Sequence, residues 1–165
     1  MFSQPKIEER SAQPYVGIST QTTMAELGAV IPRLHDEVLV WLESKGLAPS
    51  GPPFIRYHVI DMARALEVTL AWPVARNLEG DGLIAAGSLP AGRYGSLVYT
   101  GIENGIAGNG ALLEWGAEQG LNWDTFASEK GDGFGARYES FLTGPDDEPD
   151  PAKWETEVAI RLADA

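Results

Sequence analysis

The segment ARYESF, residues 136–141, decides how this chain is read. Tyr138, Phe141 and the adjacent Leu142 favour a strand, and Gly135 and Gly144 bound it. Glu139 at its centre is the anomaly. The segment echoes IRYHVI at 55–60. Two further echoes flank it. WLESKGL from Trp41 returns as WGAEQGL from Trp115, and LEVTLAW from Leu66 returns as TEVAIRL from Thr156. Three echoes in one order point to an internal duplication.

Outward from these segments, each copy reads as strand–helix–strand–strand. In the first, QPYVGISTQ (13–21) is a strand and residues 23–46 carry a helical pattern. Leu27, Ile31, Leu34, Val38 and Leu42 form its apolar stripe. Thr23 with Glu26 predicts a capping box, Pro32 a kink or break, and Lys45–Gly46 a stop. FIRYHVI (54–60) and ALEVTLAWPV (65–74) are strands. The second copy has a strand at 92–101, a helix at 109–120, and strands at 135–144 and 154–162. Residues 75–92 link the copies. One copy alone is too small to bury a good core. The expected fold is therefore α+β: a single domain over 1–165, with repeats at about 5–76 and 83–165. The strands form an antiparallel sheet with two helices on one face, and a ligand cleft runs along the pseudo-twofold axis. The open edges of such a sheet permit a homodimer.

Composition narrows the function classes. The 165 residues are 44% apolar and 22% charged, a globular balance. With no cysteine there are no disulfides, Fe–S clusters or thiolate zinc sites. The net charge of −12 disfavours nucleic acid as a partner. No apolar run reaches the roughly 18 residues of a membrane span, so no membrane partner is expected. No signal-peptide pattern opens the chain, and a cytoplasmic location is expected.

Alternation places Arg137, Glu139 and Phe141 on one strand face. Spacing alone favours a solvated Arg137–Glu139 pair. The other reading is a desolvated carboxylate that holds a lipophilic cation or acts as a base on water. The echo places Glu139 opposite His58, so both would line the cleft. His58 otherwise reads as a satisfied strand residue, and His35, beside Asp36 and Glu37, as part of a solvated helix face. The two histidines have no metal-ligand spacing, so neither metal nor cofactor is expected. Trp41 and Trp115 read as matched core residues, whereas Trp72, Tyr99 and Phe141 could reach the cleft. The glycine-rich GIENGIAGNG (101–110) lacks P-loop and dinucleotide spacing and reads as a flexible lead into the second helix, or a lid. GPDDEPDPAKW (144–154) reads as a solvated loop, and Ser19, Ser88, Ser96 and Ser140 lack the context of a nucleophile.

Three segments together carry a family resemblance: SGPPFIRYHVID, LPAGRYGSLVYTG and RYESFLTGPDDEPDPAKWETEVAIRL. Their order and spacing resemble the GyrI-like small-molecule-binding domain, a duplicated strand–helix–strand–strand (SHS2) fold. The same fold serves as the effector-binding domain of multidrug-sensing MerR- and AraC-type activators. The resemblance implies a stand-alone binding protein for lipophilic, cationic or aromatic compounds, with a drug- or toxin-sensing or sequestering role. Glu139 would hold the charge; Phe141, His58, Trp72 and Tyr99 would line the pocket. The family's Glu-x-Tyr-Leu pattern falls on ESFL, so Phe141 lacks the family hydroxyl. Its Pro-x-Gly turn matches Pro90 to Gly92, and Tyr99 stands where a histidine is common. The resemblance also implies an alternative, a hydrolase of cyclopropane-bearing electrophiles. Glu139 and Tyr99 would then be catalytic and the reaction would protect the cell. A gyrase-inhibitor-like interaction role ranks last, because the acidic charge is spread along the chain.

Overall fold

Two helices, α1 (Leu27–Ser44) and α2 (Gly105–Glu118), end in the same way. This explains the ESKGL/AEQGL echo. Gly46 and Gly120 take the positive φ that follows a helix end, at 69° and 68°. The next amide reaches back five residues in each, Leu47 to Leu42 and Leu121 to Gly116, both at 2.9 Å. The structure, a computed structural model, describes residues 1–164.

The helix starts differ from expectation. Thr23 accepts from the Glu26 amide at 3.2 Å, but residues 24–26 form a turn and α1 begins at Leu27. Pro32 does not break α1, which continues to Ser44. It lies in the second turn, where its missing N–H removes only the bond to the Gly28 carbonyl. The glycine-rich segment, read as a flexible lead or lid, forms a 3-10 turn and then the first turns of α2.

Ten strands form one sheet: β1 (Lys6–Arg10), β2 (Gln13–Thr22), β3 (Phe54–Ile60), β4 (Leu66–Pro73), β5 (Ala85–Leu89), β6 (Gly92–Thr100), β7 (Thr125–Ser128), β8 (Gly131–Phe134), β9 (Arg137–Phe141) and β10 (Glu155–Arg161). The main order is β1-β6-β10-β9-β3-β4-β2-β5, all antiparallel, with the β7–β8 hairpin joined to β3. The order β2–α1–β3–β4 recurs as β6–α2–β9–β10, with the β7–β8 hairpin inserted after α2. The strands ahead of each unit are exchanged. β1 precedes β2 but pairs with β6, and β5 precedes β6 but pairs with β2.

Both helices cover the same sheet face, α1 over β2 and β4 and α2 over β6. Beneath α1 the core joins Val38 and Leu42 of the helix to Val16, Ile55, Val68 and Leu70 of the strands. Beneath α2 it holds Leu97, Tyr99, Leu112, Val158 and Ile160. Trp41 packs half-buried on the first core and Trp115 on the second, as matched core residues should. The opposite face carries a third cluster that includes Tyr15, Phe54, Tyr94 and Tyr138. None of the described helices is long and apolar enough to cross a membrane.

Candidate functional site

β9 lies between the strands that the two helices cover. The ladder pairs Glu139 with Val158 of β10 on one side and Ile55 of β3 on the other. Val158 belongs to the α2 core and Ile55 to the α1 core, so Glu139 sits on the helix-covered face where the two cores meet. It is only 8% exposed. The solvated-pair reading therefore fails: Arg137 and Glu139 share this face, Glu139 is buried and Arg137 half-buried, and no ion pair joins them among the described residues.

Two tyrosines satisfy the carboxylate. Tyr57 of β3 donates its hydroxyl to Oε1 at 2.6 Å, and Tyr99 of β6 donates to Oε2. Hydrogen bonds to an ionised acceptor are worth about 1.5–3 kcal/mol each, enough to hold a charge away from bulk water. Burial, and next the adjacent Glu139 charge, push both phenols above their ordinary value of 10. Both are therefore protonated donors at neutral pH. Tyr99 is seated by α2. A Cβ at Gly108 would stand 2.7 Å from the Tyr99 ring, and one at Gly105 would stand 3.3 Å from its hydroxyl. The glycines let the helix lie directly on the tyrosine.

An aromatic row starts at Phe141, two residues from Glu139 on the same strand face. Phe141, half-buried, lies 5.8 Å from the His35 ring, and His35 lies 6.0 Å from Trp72, both edge-on. His35 is not on a solvated face. It is 6% exposed, and its Nε2–H donates to the Phe54 carbonyl at 2.9 Å. Burial lowers its proton affinity. Trp72 donates its indole N–H to the His35 carbonyl at 2.9 Å, so it serves as a brace behind His35.

His58 does not join the group. The RYHV/RYES echo is out of step by one residue, and in a strand one residue reverses the face. Arg56 and Tyr138 pair on the face away from the helices, whereas Arg137 and Glu139 lie beneath them. A bulge follows Tyr57, and His58 bonds Thr69 Oγ1 at 2.7 Å; Thr69 in turn meets Ser19 at 2.7 Å. Tyr57, not His58, is the first-repeat residue whose side chain bonds Glu139. Sequence reasoning passed over Tyr57, although its place two residues after Ile55 on a β3 face was a usable signal.

Arg137 completes the surroundings. Its Nη2 donates to Asn109 Oδ1 of α2 at 2.8 Å, and its guanidinium carbon lies 4.8 Å from the centre of the Phe134 ring. Burial lowers its proton affinity, and the Glu139 charge opposes that shift. A guanidinium nevertheless stays charged. Among the described residues, no group of three or more histidine or acidic side chains could hold a metal ion. A cavity of about 370 Å³ opens on the other face of the sheet, lined by Arg10, Phe54, Tyr94 and Tyr138. There Arg10 donates to Tyr138 at 2.6 Å and to Glu157 at 2.9 Å. The sheet separates this cavity from Glu139.

Solved structures share the architecture. EcmrR in a DNA complex is 16% identical with a TM-score of 0.76; the match covers 99% of this chain and 58% of that one. This chain thus spans little more than half of EcmrR. SAV2435 bound to tetraphenylphosphonium is 10% identical with a TM-score of 0.67, covering 98% and 94% of the two chains. A hydrolase from Listeria innocua is 11% identical with a TM-score of 0.63, covering 97% and 92%. At such identities the likeness is one of fold. No curated protein matches the sequence. The family assignment comes from a sequence model that spans residues 3–163: with its buried glutamate between two helix-covered units, the chain belongs to the GyrI-like small molecule binding domain family.

Proposed function

We propose that the chain binds lipophilic aromatic small molecules that bring a positive or N–H-bearing group to Glu139. One observation carries this reading: a carboxylate 8% exposed, at the meeting of the two cores and held by two phenols. The two phenols offset part of the cost of burying that charge, and a cationic ligand would offset more of it. Tyr57, Tyr99 and Phe141 supply aromatic surface against which a cation is attracted. SAV2435, which shares the fold, is seen with tetraphenylphosphonium, a lipophilic cation. Isothermal titration with tetraphenylphosphonium tests the reading. The wild-type protein should bind it stoichiometrically, and Glu139→Gln should weaken binding about tenfold to a hundredfold. Equal binding by the two proteins would overturn the assignment of the carboxylate.

A second reading rests on the contact between the Tyr99 hydroxyl and Glu139. A carboxylate beside a protonated phenol is a base beside an acid. Glu139 would take a proton from water as its oxygen bonds to a cyclopropane carbon. The ring bond would break toward a conjugated carbonyl, whose oxygen Tyr99 would protonate. Tyr99 must first turn from Glu139 to the substrate, and on turning back it regains a proton from the Glu139 carboxyl, which restores both groups. Turnover of such an electrophile, lost in both Glu139→Gln and Tyr99→Phe, would favour this reading over binding alone.

A further inference from the structure

Arg137 is the charged group of the site that cation binding leaves without a role. It precedes Glu139 by two residues on the same strand face, which sets their Cα atoms roughly 7 Å apart. A guanidinium carries five N–H donors. Here Nη2 meets Asn109, Nε is buried without a partner, and no ion pair reaches the group among the described residues. Asn109 is itself fixed, since its amide donates to the Gly105 carbonyl at 2.9 Å and leaves its oxygen to Arg137. Phe134 covers one face of the guanidinium. Asp132 lies near enough to favour the charge but makes no hydrogen bond to it. The fork is thus held in place by groups that leave most of its donors unused.

We infer that Arg137 is a specificity-determining residue which, with Glu139, selects dipolar ligands: an aromatic body with its positive or N–H end over Glu139 and a carboxylate or polarised carbonyl oxygen on the Arg137 fork. This rests on the small-molecule reading above and narrows its ligand class. Two physical reasons support it. A guanidinium pairs a carboxylate bidentately, which a point cation cannot do. A ligand that is only cationic approaches Glu139 against the Arg137 charge, and at an effective dielectric of about 20 a charge separation of roughly 7 Å would weaken binding about tenfold or more.

The test uses two dyes that differ in one group: a rhodamine with a free benzoate, which is zwitterionic, and its methyl ester, which is a cation. Fluorescence anisotropy should give the wild-type protein about tenfold tighter binding to the zwitterion. Arg137→Met should reverse this, weakening the zwitterion about tenfold and tightening the ester. Arg137→Lys, which keeps the charge without the fork, should retain part of the preference, and the wild-type ratio needs no variant at all. Equal wild-type affinities, tighter binding of the ester, or an equal change of both dyes in Arg137→Met would overturn the inference. If tetraphenylphosphonium binding still depends on Glu139 in that case, the broader reading survives. If neither dye nor tetraphenylphosphonium binds, both fail.

Discussion

Replacing Gly108 with alanine tests how α2 positions the site, and Gly110 on the same helix is the control. At Gly110 an added Cβ meets nothing within 4 Å. There the substitution keeps only the conformational gain of alanine over glycine, about 0.5–1 kcal/mol. At Gly108 the same Cβ would stand 2.7 Å from Cδ1, 3.0 Å from Cγ and 3.1 Å from Cβ of Tyr99. Tyr99 is 5% exposed and tied to Glu139, so it has little room to give. Overpacking of this kind costs about 1–3 kcal/mol, which cancels or exceeds the helix gain. The two variants should therefore differ by about 2 kcal/mol, or about 4–8 °C in Tm for a domain of this size. Differential scanning calorimetry measures the gap, and titration with tetraphenylphosphonium should show weaker binding in Gly108→Ala alone. If Gly108→Ala proves as stabilising as Gly110→Ala, α2 does not rest on Tyr99 and the account of how that hydroxyl is aimed is wrong.

Other perturbations give separate checks. Tyr57→Phe keeps the ring but leaves Oε1 of Glu139 without its donor; urea unfolding should show a loss of about 1.5–3 kcal/mol, and a loss below about 0.5 kcal/mol would contradict the bond. Burial holds His35 below its ordinary value of 6.5, so the unfolded chain takes up this proton first as pH falls. The contribution of this group should be full well above pH 6.5 and fall as pH drops below it, by up to about 1.4 kcal/mol per pH unit, so urea midpoints taken at about pH 5.5 should lie below those taken at about pH 7.5. Urea midpoints at the two pH values should differ less in His35→Gln, and an unchanged difference would refute the assignment. Arg10→Met should cost about 1–3 kcal/mol in the same assay, because it strips the donors from Tyr138 and Glu157 that join β1 to β10 and β9.

The sequence revealed elements with strong local signals and missed those without them. The apolar stripe of α1 and the glycine stops of both helices were legible because helical spacing and a positive φ leave marks on residue choice. Strands β2, β3, β4, β6, β9 and β10 carry enough branched and aromatic side chains to show. β1, with the sequence KIEER, and β5, with AAGSL, carry little such signal, and pairing with the opposite unit is what makes them strands. The β7–β8 hairpin is short and largely exposed. Glu139 and Tyr99 were legible as site candidates, and Phe141 lies beside them. His58 was misplaced and Tyr57 missed for one reason: letter identity aligned RYHV with RYES, but strand facing depends on register, and letters do not record a one-residue slip. His35 looked solvated because Asp36 and Glu37 follow it, although a helix turns each neighbour to a different side.

β3 joins the first unit to the second through β9 and, for two further rungs, through β8. β3 and β9 share three rungs, Phe54–Ser140, Ile55–Glu139 and Arg56–Tyr138, and Glu139 occupies the middle one. Tyr57 reaches it from one side of the join and Tyr99 from the other. Under the proposed function, a molecule anchored there would act as a rivet across a seam. Its binding free energy adds to the work of parting the halves, so occupancy should slow amide hydrogen exchange along β3 and β9 more than at the outer strands. Opening the seam does not free either half, because each keeps a strand from the other's leading segment in its own sheet. Opening at the middle would leave the halves laced at both margins, and under the proposed function this is how a ligand would meet the buried carboxylate without unfolding the domain.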